Sequence, residues 1–283
     1  MLYDGPAQRE RREAAQDAQK IEQTNARKSV GLFIGCDLGK SHDYTTAITL
    51  EKIKITKFDR WVEAPPSTKV DLNNPMSELQ PTFTHDIFYG VRKVDRVRLG
   101  TSYVEVTRFL LNLINKKGIK GLRPTVVLDR TGIGAAVIDF LVEGGVSDII
   151  GITATGGSTI TEDDNLWTVP KSELVTMTKS CFGRGILKIA ETDNSDLLLA
   201  ELKQFMIRRS PSGNLQYEAP SGEHDDLVSG LMLALWAATR YEPIPLVAPT
   251  VILRDFGDGL RRGARVRRSS YNMSNKGYRG GYY

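Results

Sequence analysis

The chain is poor in cysteine. Cys36 and Cys181 are its only two in 283 residues, far apart and outside any CxxC spacing. That argues against a zinc site or a disulfide framework and makes a reducing cytoplasm the expected setting. No apolar run is long enough to span a bilayer, and the charged start MLYDGPAQRERREAAQ is not a signal peptide. A phosphate-cradling P-loop is missing as well. Gly39-Lys40-Ser41 supplies its end, but Ile34 stands where its first glycine belongs, so the loop is one residue short and ATP binding is not expected. Acidic residues are absent from Gly259 to Tyr283, where seven Lys/Arg occur, among them Arg261, Arg262, Arg265, Arg267 and Arg268. With the whole chain at +4, removing those seven leaves the remainder at −3. The body is slightly acidic and the tail strongly basic.

What the chain does have is a full α/β core's worth of length and an ordinary apolar fraction. GLFIGCDLGKSHDYTTAITL, from Gly31 to Leu50, reads as two β-rich runs joined by turn residues, a hairpin whose second strand extends through Lys52–Phe58. Residues 1–30 read as an arm or linker remnant, 31–245 as the folded domain, and 246–283 as a basic tail too poor in aliphatics to pack a core. The Pro/Asn/Ser-rich stretch 64–85 reads as an insertion loop, part of a 62–86 segment whose role the sequence leaves open. A third strand over Ile87–Leu99 and a helix over Tyr103–Asn115 follow. PTVVLDRTGIGAAVIDFLVEGG then gives strand, turn and helix. Beyond it come a strand over Ser147–Thr153, a polar loop over Thr155–Asp164, a helix over Pro170–Phe182 and a short strand over Gly185–Ile189. A helix over Ser195–Ile207, an extended Leu215–Tyr217 and a strongly apolar helix ending at Arg240 complete the domain.

The candidate chemistry lies in carboxylates. Asp37 ends an otherwise apolar strand, where a charge is costly unless something positive pairs with it; the plainer account is a turn closed by its own backbone. Asp129 ends the PTVVLD strand, at the sheet edge where polar sites of α/β folds gather; the plainer account is a cap on the next helix. Glu223, His224, Asp225 and Asp226 stand at the entrance of the last helix, where one Asp suffices as a cap. Further like charges repel there unless a cation is present. Hard oxygen ligands in this number suit Mg²⁺ or Mn²⁺ rather than zinc. Two such ions held by shared carboxylates serve phosphodiester cleavage.

Four ordered segments carry a resemblance: GCDLGKSHDYTTAI, VVLDRTGIG, VPKSELV followed by GRGILKI, and GEHDDLVSGLMLALW. Over roughly residues 31–240 they resemble the nuclease domain of the phage terminase large subunit. The resemblance implies a ribonuclease-H-like fold, a mixed central β-sheet flanked by helices. It further implies a two-metal DNA endonuclease of viral genome packaging that cuts double-stranded DNA, with Asp37, Asp129, Asp225 and Asp226 as catalytic metal ligands. Asp43 lies where such proteins often carry a second acid. Lys40, Arg130, Lys171 and the tail arginines are the expected DNA contacts. A terminase ATPase motor, a small terminase subunit and a portal are the implied partners, in the host cytoplasm. About 30 residues precede the first strand, too few for a motor domain, so an isolated domain, a split subunit or a cloned portion is expected. Other readings of the acids are an actin-like or sugar-kinase-type ATPase, a related resolvase or transposase, and a non-catalytic DNA-binding protein.

Overall fold

Gly31–Cys36 is buried without a break, the pattern of a strand covered on both faces. This strand, β1 (Ala26–Asp37), lies inside an eight-stranded sheet. The computed structural model describes residues 26–39, 43–63, 79–115, 122–209, 215–218 and 225–241, with helical pieces at 15–16 and 18–20. The chain divides into one unit over Met1–Leu246, which holds every described residue, and a second over Val247–Tyr283, which holds none. The expected tail, with Arg261, Arg262, Arg265, Arg267 and Arg268, therefore lies outside the described residues. So do Lys40, Glu223, His224 and most of the expected N-terminal arm.

β1 pairs antiparallel with β2 (Thr46–Glu63), which pairs antiparallel with β3 (Leu79–Arg96). On its other side β1 runs parallel to β4 (Pro124–Asp129), followed by β5 (Ile149–Thr155) and β7 (Leu166–Pro170). A short β6 (Thr161–Asp163) closes that edge antiparallel to β7, and β8 (Leu187–Ile189) runs parallel to β3 at the other. The order is β6-β7-β5-β4-β1-β2-β3-β8. All strands except β2 and β6 thus point the same way, and the carboxyl ends of β1, β3, β4, β5 and β7 share one edge.

Alternating side chains of β1 divide the core. Phe33 joins Ile48, Leu50 and Val91 on one face, together with Leu227, Leu231 and Trp236 of α5 (Asp226–Arg240). Ile34 and Cys36 face the opposite layer, with Val106 and Leu110 of α1 (Tyr103–Asn115) and Val137 and Leu141 of α2 (Gly134–Glu143). α3 (Lys171–Gly183) and α4 (Ser195–Gln204) join the α5 face. A mixed central sheet flanked by helices on both faces is the architecture expected from the sequence. α1 starts at a reciprocal cap: the Ser102 amide donates to Glu105 Oε2 at 3.1 Å and the Glu105 amide to Ser102 Oγ at 3.3 Å.

Several expectations are corrected. Leu79–His85 is strand, not insertion loop. Phe58 and Phe83 lie directly opposite and their rings meet edge-on at 6.3 Å, a cross-strand pair that outweighs the loop-like composition. Pro81 is tolerated because β8 flanks β3 only at Tyr89–Val91. Thr161–Pro170 is a hairpin, turned by Asp164 and Asn165 at φ 46° and 67°. β6 has no apolar face, so no alternation marks it. The helix expected to reach Ile207 stops at Gln204, and Met206–Arg209 (β9) pairs instead with Leu215–Glu218 (β10). That ladder takes up amides a longer helix would have paired internally.

Candidate active site

Two acids meet through sheet register alone. Cys36 pairs with Leu128 in the parallel β1–β4 ladder, so the next residues, Asp37 and Asp129, end neighbouring strands side by side. The chain turns back at this point of the sheet, with β2 and β3 laid to one side of β1 and β4 and β5 to the other. Sites of open α/β sheets form in the crevice such a reversal leaves.

The third contribution comes from α5, which crosses β1 at Gly35 and Gly230. A Cβ on Gly35 would fall 2.1 Å from the Gly230 carbonyl oxygen, so only glycine admits the helix this close. Helical residues three and four apart share a face, which puts Asp226 and Ser229 beside Gly230 and toward the end of β1. The Ser229 side chain lies beside Asp37 and acts to lower its carboxyl. The Asp226 Oδ2 accepts the Tyr44 amide at 3.1 Å, and the Asp226 carbonyl accepts the Thr46 hydroxyl at 2.8 Å. Helix and hairpin are thereby tied together at the acids.

Burial pushes the Asp37 carboxyl up to about 8, helped by the charges of Asp129, Asp226 and Asp225 in that order and opposed by the Ser229 hydrogen bond. The other three expected ligands, Asp129, Asp225 and Asp226, thus all act on Asp37. Asp43 is exposed on the β1–β2 connection, and its charge is not among those acting on Asp37.

Asp129 does not cap α2. Its Oδ1 accepts both the amide and the hydroxyl of Thr131, each at 2.8 Å, which leaves Oδ2 outside the turn. Asp225 occupies the N-cap position of α5 with no side-chain capping bond. Its Oδ2 instead lies 3.6 Å from the Lys171 ammonium. The cap is supplied by Glu201 of α4, whose Oε2 accepts the Leu227 amide at 2.9 Å. Burial raises the Glu201 carboxyl, against the hydrogen bond from Leu227 and the nearby Arg96. Arg96 also stacks its guanidinium over the Tyr44 ring, 3.5 Å from the centroid. Arg130 follows Asp129 and is exposed, its backbone amide held by the Ile152 carbonyl at 2.7 Å.

Sequence reasoning named the acids but not the groups that aim them. Ser229 had a readable signal, a lone hydroxyl one turn into an apolar helix. Thr131 had a weaker one, two residues after Asp129. Nothing local in ELKQ distinguishes Glu201. Oxygen donors around a partly covered, mutually repelling carboxylate fit a hard divalent cation. Among the described residues no three such side chains already form a metal-holding group.

No protein-family model matches the chain, and no curated protein matches it. Among solved structures it is similar to the large terminase nuclease from thermophilic phage G20c, at 20% identity and a TM-score of 0.45, over 78% of this chain and 91% of that one. The same nuclease with bound magnesium matches at 19% identity and 0.46, over 76% and 89%. The large terminase nuclease domain of Thermus phage P74-26 matches at 18% and 0.45, over 76% and 87%.

Proposed function

We propose that the chain is a metal-dependent endonuclease for double-stranded DNA, working in viral genome packaging as a terminase nuclease. The observation that carries this reading is the convergence of Asp37 and Asp129, which end neighbouring parallel strands, with Asp225 and Asp226 at the start of the helix packed against β1 through Gly35 and Gly230. Four acids gathered at a sheet edge are a repulsive arrangement that a divalent cation relieves. Asp37, Asp129, Asp225 and Asp226 would hold two Mg²⁺ or Mn²⁺ ions, and Asp43 stands farther out on the hairpin connection. Such ions supply an activated water and stabilise the leaving oxygen of an in-line displacement.

The protein's own residues contribute orientation. The Tyr44 amide holds one oxygen of Asp226, Thr131 fixes Asp129 with Oδ2 turned out of the loop, and Ser229 lies beside Asp37. Arg130, exposed beside Asp129, would meet a DNA phosphate. Lys40 and the tail arginines would add contacts that follow the backbone rather than the bases. A motor ATPase, a small terminase subunit and a portal are the partners this reading implies.

The test is incubation of supercoiled plasmid with the full chain, with Mg²⁺ or Mn²⁺ and with EDTA. Nicked and linear products are expected only with metal, with no sequence preference. Asp37→Asn, Asp129→Asn and the Asp225→Asn/Asp226→Asn pair should each lose cleavage. Undiminished cutting by Asp37→Asn overturns the site assignment.

A further inference from the structure

Lys171 and Asp225 both decline the local role their positions offer. Lys171 is the first residue of α3, directly after Pro170. A cation there faces the positive end of the helix dipole, where an acid is favoured. Asp225 has the N-cap position of α5 yet makes no capping bond, because Glu201 of α4 already serves the Leu227 amide. The two side chains instead face each other between two helix starts, with 3.6 Å from Nζ to Oδ2. β7 brings Lys171 here because it runs parallel to β4 and β1 and ends at the same edge.

The pairing divides the acids. Asp225 has a cation beside it, whereas the groups acting on Asp37 are three carboxylates and one hydroxyl. We propose that Lys171 is a resident cation, held by Asp225 until a divalent ion displaces it and then released to a phosphate of the DNA. The inference rests on the metal-nuclease reading above. It makes ion loading sequential. The first ion enters beside Asp37 and Asp129, and the second must compete with Lys171 for Asp225. It also couples loading to substrate, since the ammonium set free at the second step lies where a cation can meet the scissile strand.

The experiment is calorimetric titration of Mn²⁺ into the full chain and into Lys171→Met, Lys171→Arg, Asp225→Asn and the Lys171→Met/Asp225→Asn double variant. Two classes of association are expected for the wild type. Lys171→Met should tighten the weaker class about fivefold, the upper range of what a part-exposed ion pair contributes. Lys171→Arg should keep the wild-type isotherm. Asp225→Asn should lose the weaker class, and adding Lys171→Met to it should change nothing further. In plasmid cleavage, Lys171→Met should need less Mn²⁺ for half-maximal rate and show a higher KM for DNA, two shifts that a merely structural lysine does not produce in opposite senses. An isotherm for Lys171→Met that matches or is weaker than the wild type overturns the inference alone, provided wild-type uptake is present and lost in Asp37→Asn. No Mn²⁺ uptake by the wild type overturns both this inference and the metal centre.

Discussion

Gly35 of β1 and Gly230 of α5 meet backbone to backbone. A Cβ on Gly35 would lie 2.1 Å from the Gly230 carbonyl oxygen and 2.7 Å from the Ala234 amide nitrogen. From the helix side the fit is looser, since a Cβ on Gly230 would meet Gly35 O, Ile48 Cγ1 and Thr46 Oγ1, all at 3.2 Å. Asp37 lies two residues beyond one glycine and Asp226 one helical turn before the other. The close approach that packs the core therefore sets the distance between strand acid and helix acid.

Gly35→Ala should be far more damaging than Gly230→Ala. The first forces main chain apart, and overpacking of this kind costs about 1–3 kcal/mol or more. The second asks for a few tenths of an ångström and recovers about 1 kcal/mol of helix propensity. Urea unfolding of both variants measures the difference, and plasmid cleavage should fall with Gly35→Ala in step with the displaced helix. Equal midpoints for the two variants would contradict the close approach.

Glu201 holds the start of α5 from a neighbouring helix. Glu201→Ala leaves the buried Leu227 amide without its acceptor, at a cost of about 1–2 kcal/mol. Glu201→Gln keeps an acceptor and should cost less. Because Asp225 and Asp226 stand on the turn that Glu201 caps, Mn²⁺ affinity should drop in Glu201→Ala and largely survive in Glu201→Gln. Calorimetry on the two variants checks this; identical behaviour would mean that Glu201 does not position the acids.

The main strands and all four acids are legible in the sequence because they announce themselves locally. LFIGC is apolar throughout, PTVVLD ends in its carboxylate, and DDL precedes an unbroken apolar helix. What is illegible depends on residues remote in sequence. The outer half of β3 exists through Phe83 meeting Phe58, and α4 ends where β9 finds β10. The sequence alone makes Lys171 a DNA contact, since nothing in VPKSEL tells that Asp225, on another helix, stands 3.6 Å away. Glu201 caps a helix that begins 25 residues later, a relation no local pattern carries.

The basic tail offers a test independent of the acids. The body carries net negative charge and its candidate site is a cluster of carboxylates, an arrangement that would repel DNA until metal binds. An arm with seven Lys/Arg would offset this by releasing phosphate counterions. Deleting Gly259 onward should weaken DNA binding and flatten its salt dependence by about 0.9 in the log–log slope for each phosphate no longer neutralised. Cleavage at low salt should persist. An unchanged slope would assign the tail to an acidic partner instead.

Asp37 should make the metal-free protein less stable as pH rises. Its folded-state value is raised to about 8, well above the ordinary carboxylate value of 3.8 expected when unfolded. Between these values the folded state keeps a proton that the unfolded state has released. Unfolding therefore becomes easier with each step up in pH, and the loss levels off once the folded carboxyl also ionises near 8. The wild type without metal should melt at a higher temperature at pH 5 than at pH 8, and Asp37→Asn should flatten that slope by removing the ionisable group. At pH 8 a divalent ion should reverse the penalty, because it favours the ionised carboxylates it binds. Mn²⁺ should then raise the melting temperature of the wild type more at pH 8 than at pH 5, and that of Asp37→Asn little at either. Scanning calorimetry across pH, with EDTA and with Mn²⁺, measures all four conditions. A wild-type melting temperature that climbs from pH 5 to pH 8 without metal would show that burial and the neighbouring acids do not keep the Asp37 carboxyl protonated in the folded chain.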